Sequence, residues 1–129
     1  MRYHTKNHSK FLLRFHLIFV VKYRKRLLRD RLGEEVKKIF LDLQTESIRI
    51  DTMGIDQDHI HFLIDHDPKI SVLQVVRRFK QMSTHRIWTL CDLRHHFWKE
   101  RTFWSDGYFA CSVGDASTET VRRYIETQG

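Results

Sequence analysis

Apolar residues recur along this chain in two rhythms, one with the period of a strand and one with that of a helix. Residues 11 to 21, FLLRFHLIFVV, are dense in aromatic and β-branched side chains and read as a long, largely buried strand. The basic cluster Lys22-Tyr23-Arg24-Lys25-Arg26 follows as a turn. From residue 30 to 47, Leu32, Val36, Ile39, Phe40 and Leu43 fall at helical spacing. Asp30 is placed to cap that helix, with Glu34 and Glu35 in early turns where the helix dipole favours them. Residues 48 to 54 alternate as a strand, and Gly54-Ile55-Asp56-Gln57-Asp58 supplies a turn into a second strand over 59 to 65. Pro68 ends the hairpin. Ser71 then offers an N-cap for a helix to residue 90, carrying Val72, Val75, Val76, Phe79, Met82 and Ile87. Residues 91 to 101 are mixed and show no clear period. YFACSV, 108 to 113, reads as a last short strand, and Asp115 or Ser117 caps a final helix over 118 to 128.

The order is strand, helix, strand, strand, helix, strand, helix. Its first six elements match the split βαβ, ferredoxin-like plan of the α+β class, an antiparallel sheet with helices on one face. The seventh is a C-terminal helix. One proline, five glycines and no low-complexity run leave no visible linker, so the 129 residues are expected to form a single domain. This plan serves many functions, and the site has to choose among them.

A formal charge of +7 makes a polyanion the natural partner, nucleic acid ahead of a membrane. Cys91 and Cys111 lie twenty residues apart without a CxxC pair, which excludes a zinc ribbon or disulfide scaffold and suits a reducing compartment. Residues 1 to 10 are polar and basic, and the apolar stretch 17 to 21 is too short to span a bilayer. A cytoplasmic protein without membrane contact is the expectation.

His59-Ile60-His61 sets two imidazoles at i and i+2 of an expected strand, so both face one side while Ile60 faces the other. Their nitrogens can then converge on one ion about 2.0–2.2 Å from each. With nine histidines in the chain, chance alone supplies about 0.6 of such a match, so the pair needs company. Tyr124 and Gln128 provide it: four residues apart, they share one face of the last helix. A tyrosine hydroxyl can attack phosphorus, and an amide oxygen can complete a metal's coordination. Neutral ligands leave the ion's charge intact for polarising a phosphate.

These residues resemble the single-tyrosine HUH transposases, the TnpA type of small bacterial and archaeal insertion sequences. His59-Ile60-His61 matches the paired histidines, and Tyr124 with Gln128 the C-terminal helix motif. Phe15-His16-Leu17-Ile18-Phe19 running into Lys22-Tyr23-Arg24 is similar to the family's opening strand and turn. Residues 104 to 113 and 121 to 128 are similar to its C-terminal third, so the resemblance spans roughly residues 11 to 128. Gln57 departs from it, standing where many relatives have proline.

The resemblance implies that Tyr124 attacks single-stranded DNA, leaving a 5′-phosphotyrosine and a free 3′-OH. It implies a divalent ion, Mg²⁺ or Mn²⁺, on His59, His61 and Gln128. It also implies homodimers with sites completed in trans, acting on hairpins at the element's ends. Two imidazoles favour Mn²⁺ by affinity, whereas Mg²⁺ prefers oxygen. Among basic residues, Lys22, Arg24, Lys25, Arg26, Arg77, Arg78 and Lys80 are candidate phosphate contacts, and Tyr23 and Trp104 are candidate stacking platforms for unpaired bases. Two alternatives share much of this pattern. One is a host-domesticated relative acting on repeated palindromes. The other is a ferredoxin-like RNA-binding protein without chemistry, against which stands the lack of an RNP1-like string.

Overall fold

The first strand, β1 (Leu13–Val20), alternates as its sequence demands, with Phe15, Leu17 and Phe19 on one face and His16, Ile18 and Val20 on the other. In this computed structural model, which describes residues 13–98, 100–112 and 118–127, β1 is a central strand of a four-stranded antiparallel sheet. A short 3-10 turn, Lys22–Arg24, precedes α1 (Asp30–Asp42), β2 (Ile48–Asp56) and β3 (His59–His66). After them come α2 (Val72–Leu90), α3 (Arg94–Phe97), β4 (Phe109–Ser112) and α4 (Thr118–Thr127). Strand order β2-β3-β1-β4 is that of the ferredoxin-like plan.

One sheet face carries the core. Phe15, Leu17 and Phe19 of β1 stand in register with Ile64, Phe62 and Ile60 of β3, all buried. Val36, Ile39 and Phe40 of α1, with Val75, Val76, Phe79 and Ile87 of α2, join them in one cluster. Phe40 lies 4.8 Å from Phe62 and 5.3 Å from Phe79 between ring centres, an aromatic hub locking both helices to the sheet.

Ser71 caps α2 as expected, its hydroxyl accepting from the Gln74 amide while the Gln74 side chain returns to the Ser71 amide. The first helix differs from the sequence expectation at both ends. Arg29 occupies the N-cap position, and Asp30 is the first helical residue with a φ of 54°. The helix stops at Asp42 rather than residue 47 because polar side chains divert the backbone. Thr45 Oγ1 accepts from the amides of Ser47 and Ile48, and Gln44 Oε1 accepts from Ile50. The hairpin turn is also tighter than expected. Pairing runs through Ile55↔Ile60 and Asp56↔His59, leaving Gln57 and Asp58 as the turn. The anticipated caps Asp115 and Ser117, and residues 11, 12, 113 and 128, lie outside the described residues.

Candidate active site

Cross-strand register assembles the site on the sheet face opposite the two long helices. Directly paired residues project to the same side. Gly54, His61, Ile18 and Phe109 therefore form one row across all four strands. Asp56, His59 and Val20 form the next, and Leu63, His16 and Cys111 flank the first row on its other side. His59 and His61 thus share a face, as their spacing requires, with ring centres 6.5 Å apart.

Each ring is held differently. His59 Nδ1 lies 2.9 Å from Asp58 Oδ1. A carboxylate only accepts, so Nδ1 carries a proton there, which leaves Nε2 as the nitrogen available to a metal. His61 lies over Gly54, where a Cβ would overlap its ring. Burial pushes its pKa down, helped by the neighbouring His59 and His16 and opposed by Asp56. The ring stays neutral, the form that binds a cation. Two imidazoles on one face, with ring centres 6.5 Å apart, are a donor set suited to a divalent metal. Among the described residues no group of three His, Cys, Asp or Glu side chains accompanies it, and further ligands would come from other donors. Gln128, the expected third protein ligand, lies outside the described residues.

Tyr124 comes to the same face. Its ring packs 5.6 Å from Phe109, the β4 member of the His61 row. Its hydroxyl is buried without a hydrogen-bond partner, and burial pushes its pKa up to about 12. Arg24 ties this helix to the histidines: its Nη1 donates to the Glu126 carbonyl at 3.5 Å, and its Nε lies 3.6 Å from Asp58 Oδ2.

The remaining predicted contacts divide sharply. Tyr23 is 58% exposed, Arg26 is exposed and Lys25 half-exposed, as a DNA-facing turn would require. Lys22 pairs instead with Glu100 at 3.2 Å. Arg77 is exposed, but it lies with Arg78 and Lys80 on α2, whose sheet contacts are on the face away from the histidines. Arg78 Nε donates to the Leu43 carbonyl, joining the C-terminal end of α1 to the first half of α2. Lys80 corrects the sequence expectation. Its ammonium donates to the carbonyls of Ser105, Asp106 and Gly107, at 2.7 to 2.9 Å, and serves as an internal tether. Trp104 is corrected likewise: it is 4% exposed, with its indole N–H bonded to Ser83 Oγ at 2.9 Å, and it belongs to the core rather than a stacking platform.

Sequence reasoning missed three features. Gly54 needed the register to be seen. His16 needed the neighbouring strand. Trp98, 80% exposed beside α3, stood in a stretch without period.

The chain's likeness to known proteins fits this arrangement. The model of the IS200-like transposase family matches residues 9–128. This chain belongs to the IS200-like transposases. The ISDra2 transposase TnpA of Deinococcus radiodurans is 27% identical over 120 residues, covering 92% of this chain and 85% of the relative. The transposase for insertion sequence element IS200 of Salmonella typhimurium is 28% identical over 123 residues, covering 94% and 80%. A crystal structure of a D. radiodurans protein assigned as a transposase superposes with a TM-score of 0.83 at 25% identity, covering 92% of both chains. The fold is shared more widely. A REP-associated tyrosine transposase bound to a REP hairpin superposes at 0.52 with 13% identity, over 98% of this chain and 68% of that one. No helix among the described residues of this IS200-like transposase is long and apolar enough to cross a membrane.

Proposed function

We propose that this IS200-like transposase cuts and rejoins single-stranded DNA at hairpin-marked ends of an insertion sequence through a phosphotyrosine at Tyr124. The observation that carries this reading is the shared face: Tyr124, packed on Phe109, stands over the row that contains His61. The phenolic oxygen bonds to phosphorus as the P–O3′ bond breaks, and the 3′-OH departs with a proton. A later 3′-OH attack reverses that exchange, so one phosphoester replaces another without external energy. His59 and His61, with Gln128, would hold Mg²⁺ or Mn²⁺, which when bound supplies Lewis-acid polarisation of the scissile phosphate.

The chain's own residues prepare this chemistry. Asp58 fixes the His59 tautomer, and Gly54 leaves the room in which His61 sits. Burial pushes the Tyr124 hydroxyl pKa further above the ordinary tyrosine value, so ionising it as a nucleophile is harder than for a free tyrosine. Displacement of the helix or a charged neighbour at the hydroxyl is required before it reacts. Tyr23 and Arg26 provide an exposed ring and an exposed cation for unpaired bases and backbone. A homodimer is part of this reading, by resemblance to the TnpA type.

The test is a covalent adduct on hairpin-bearing single-stranded DNA with Mn²⁺, seen as a protein band of slower migration. Wild type forms it, Tyr124→Phe does not, and EDTA abolishes it. Equal adduct formation by Tyr124→Phe refutes the nucleophile, and undiminished cleavage in EDTA refutes the metal.

A further inference from the structure

We propose that Arg24 is a positioning residue coupling the docking of the tyrosine helix to the orientation of His59, a role that rests on the metal-and-tyrosine reading above. Tyr23 and Arg24 are consecutive non-glycine residues in the left-handed region, with φ of 62° and 52°. Such strain persists only where surrounding structure over-determines it. Here the Val21 amide donates to the Asp58 carbonyl at 2.8 Å and the Leu28 amide to the Gln57 carbonyl at 2.9 Å, clamping both sides of the turn to the β2–β3 hairpin.

That clamp places one guanidinium between two elements distant in sequence. On one side it meets the Glu126 carbonyl in the last turn of α4, where a cation complements the helix dipole. On the other it lies beside Asp58 Oδ2, while Asp58 Oδ1 holds His59 Nδ1. The path from the tyrosine helix to the metal ligand is therefore continuous: Glu126 carbonyl, Arg24, Asp58, His59.

A second observation points to the same joint. Among the described residues, the buried side-chain polar atoms without a hydrogen-bond partner are Arg24 Nε and Tyr124 Oη. Tyr124 Oη belongs to the face of α4 packed on β4, and Arg24 Nε faces Asp58 Oδ2 at 3.6 Å, beyond hydrogen-bond distance. Unmet buried donors are costly and rare. The two unmet groups thus stand towards the tyrosine and histidine ends of the path that Arg24 spans. Coupling of this kind is reciprocal. Fixing His59 with a metal must stabilise the docked helix, and loss of Arg24 must separate the two events.

The experiment measures hydrogen exchange of the α4 amides with and without Mn²⁺ alone, and Mn²⁺ affinity by electron paramagnetic resonance. Wild type, Arg24→Gln, Arg24→Lys, Asp58→Asn and the Arg24→Gln/Asp58→Asn double variant are compared. In wild type Mn²⁺ slows α4 exchange. Arg24→Gln abolishes that response and weakens Mn²⁺ binding about tenfold, within the usual range for partners of metal-binding histidines. Arg24→Lys, which keeps the charge but not the fork, shows a partial response, and the double variant binds no more weakly than Asp58→Asn. Equal Mn²⁺ protection of α4 in wild type and Arg24→Gln overturns the proposal, as do losses that multiply in the double variant. Failure of wild type to form the Tyr124 adduct would instead overturn the functional reading, so the two failures are distinct.

Discussion

Gly54 and His61 face each other across β2 and β3, and the His61 ring occupies the space that any side chain at position 54 would take. The ring is the movable partner, so Gly54→Ala is expected to displace it rather than break the sheet. We expect Mn²⁺ affinity to fall about tenfold or more, comparable to losing a ligand's supporting contact. Thermal stability should change by about 1 kcal/mol or less, since Ala also lowers the entropy of the unfolded chain. Metal titration beside a melting curve checks both.

Trp104→Phe tests the reassignment of that indole to the core. It removes the bond to Ser83 Oγ and leaves space where the larger ring stood. A destabilisation of about 1–3 kcal/mol is expected in urea denaturation, with DNA affinity per folded molecule unchanged. Loss of single-stranded DNA binding without loss of stability would return Trp104 to a stacking role.

Lys80 and Arg26 separate an internal tether from a phosphate contact. Arg26→Ala should lower the dependence of DNA affinity on salt by about one unit of slope, with stability held. Lys80→Met removes a donor shared by three carbonyls, and should instead lower the melting temperature and leave the salt slope unaltered. A reversed pattern would place the DNA on the α2 side.

The buried hydroxyl of Tyr124 gives a pH prediction. Its pKa is raised to about 12 in the fold, against an ordinary value of 10.0. The fold therefore holds this proton more tightly than the unfolded chain does. Its stabilising contribution is full below pH 10 and is lost as pH rises from 10 towards 12. Ultraviolet titration should show one tyrosine ionising late, and Tyr124→Phe should lack that late step.

Much of this is legible in the sequence. Period-two spacing put His59 and His61 on one face, and four-residue spacing put Tyr124 on a helix, because both rules depend only on local geometry. Ser71 was legible as a cap for the same reason. What escaped depended on distant neighbours. Gly54 looked like a turn residue until register paired it with His61. Arg24 looked like one charge among four in its turn, since nothing local announces that two bulky residues adopt positive φ. Trp104 and Lys80 were misjudged because their partners are distant in sequence, Ser83 for the indole and the carbonyls of residues 105 to 107 for the ammonium.

The alternation of β1 and β3 divides labour residue by residue. Phe15, Leu17 and Phe19 of β1 and Ile60, Phe62 and Ile64 of β3 build the interior, while His16, His59 and His61 between them face the other side. Heritable change can therefore reshape the chemistry of one side one codon at a time without disturbing the packing that folds the other. The histidine face and the packed interior of this small domain are written in alternate letters of the same two strands.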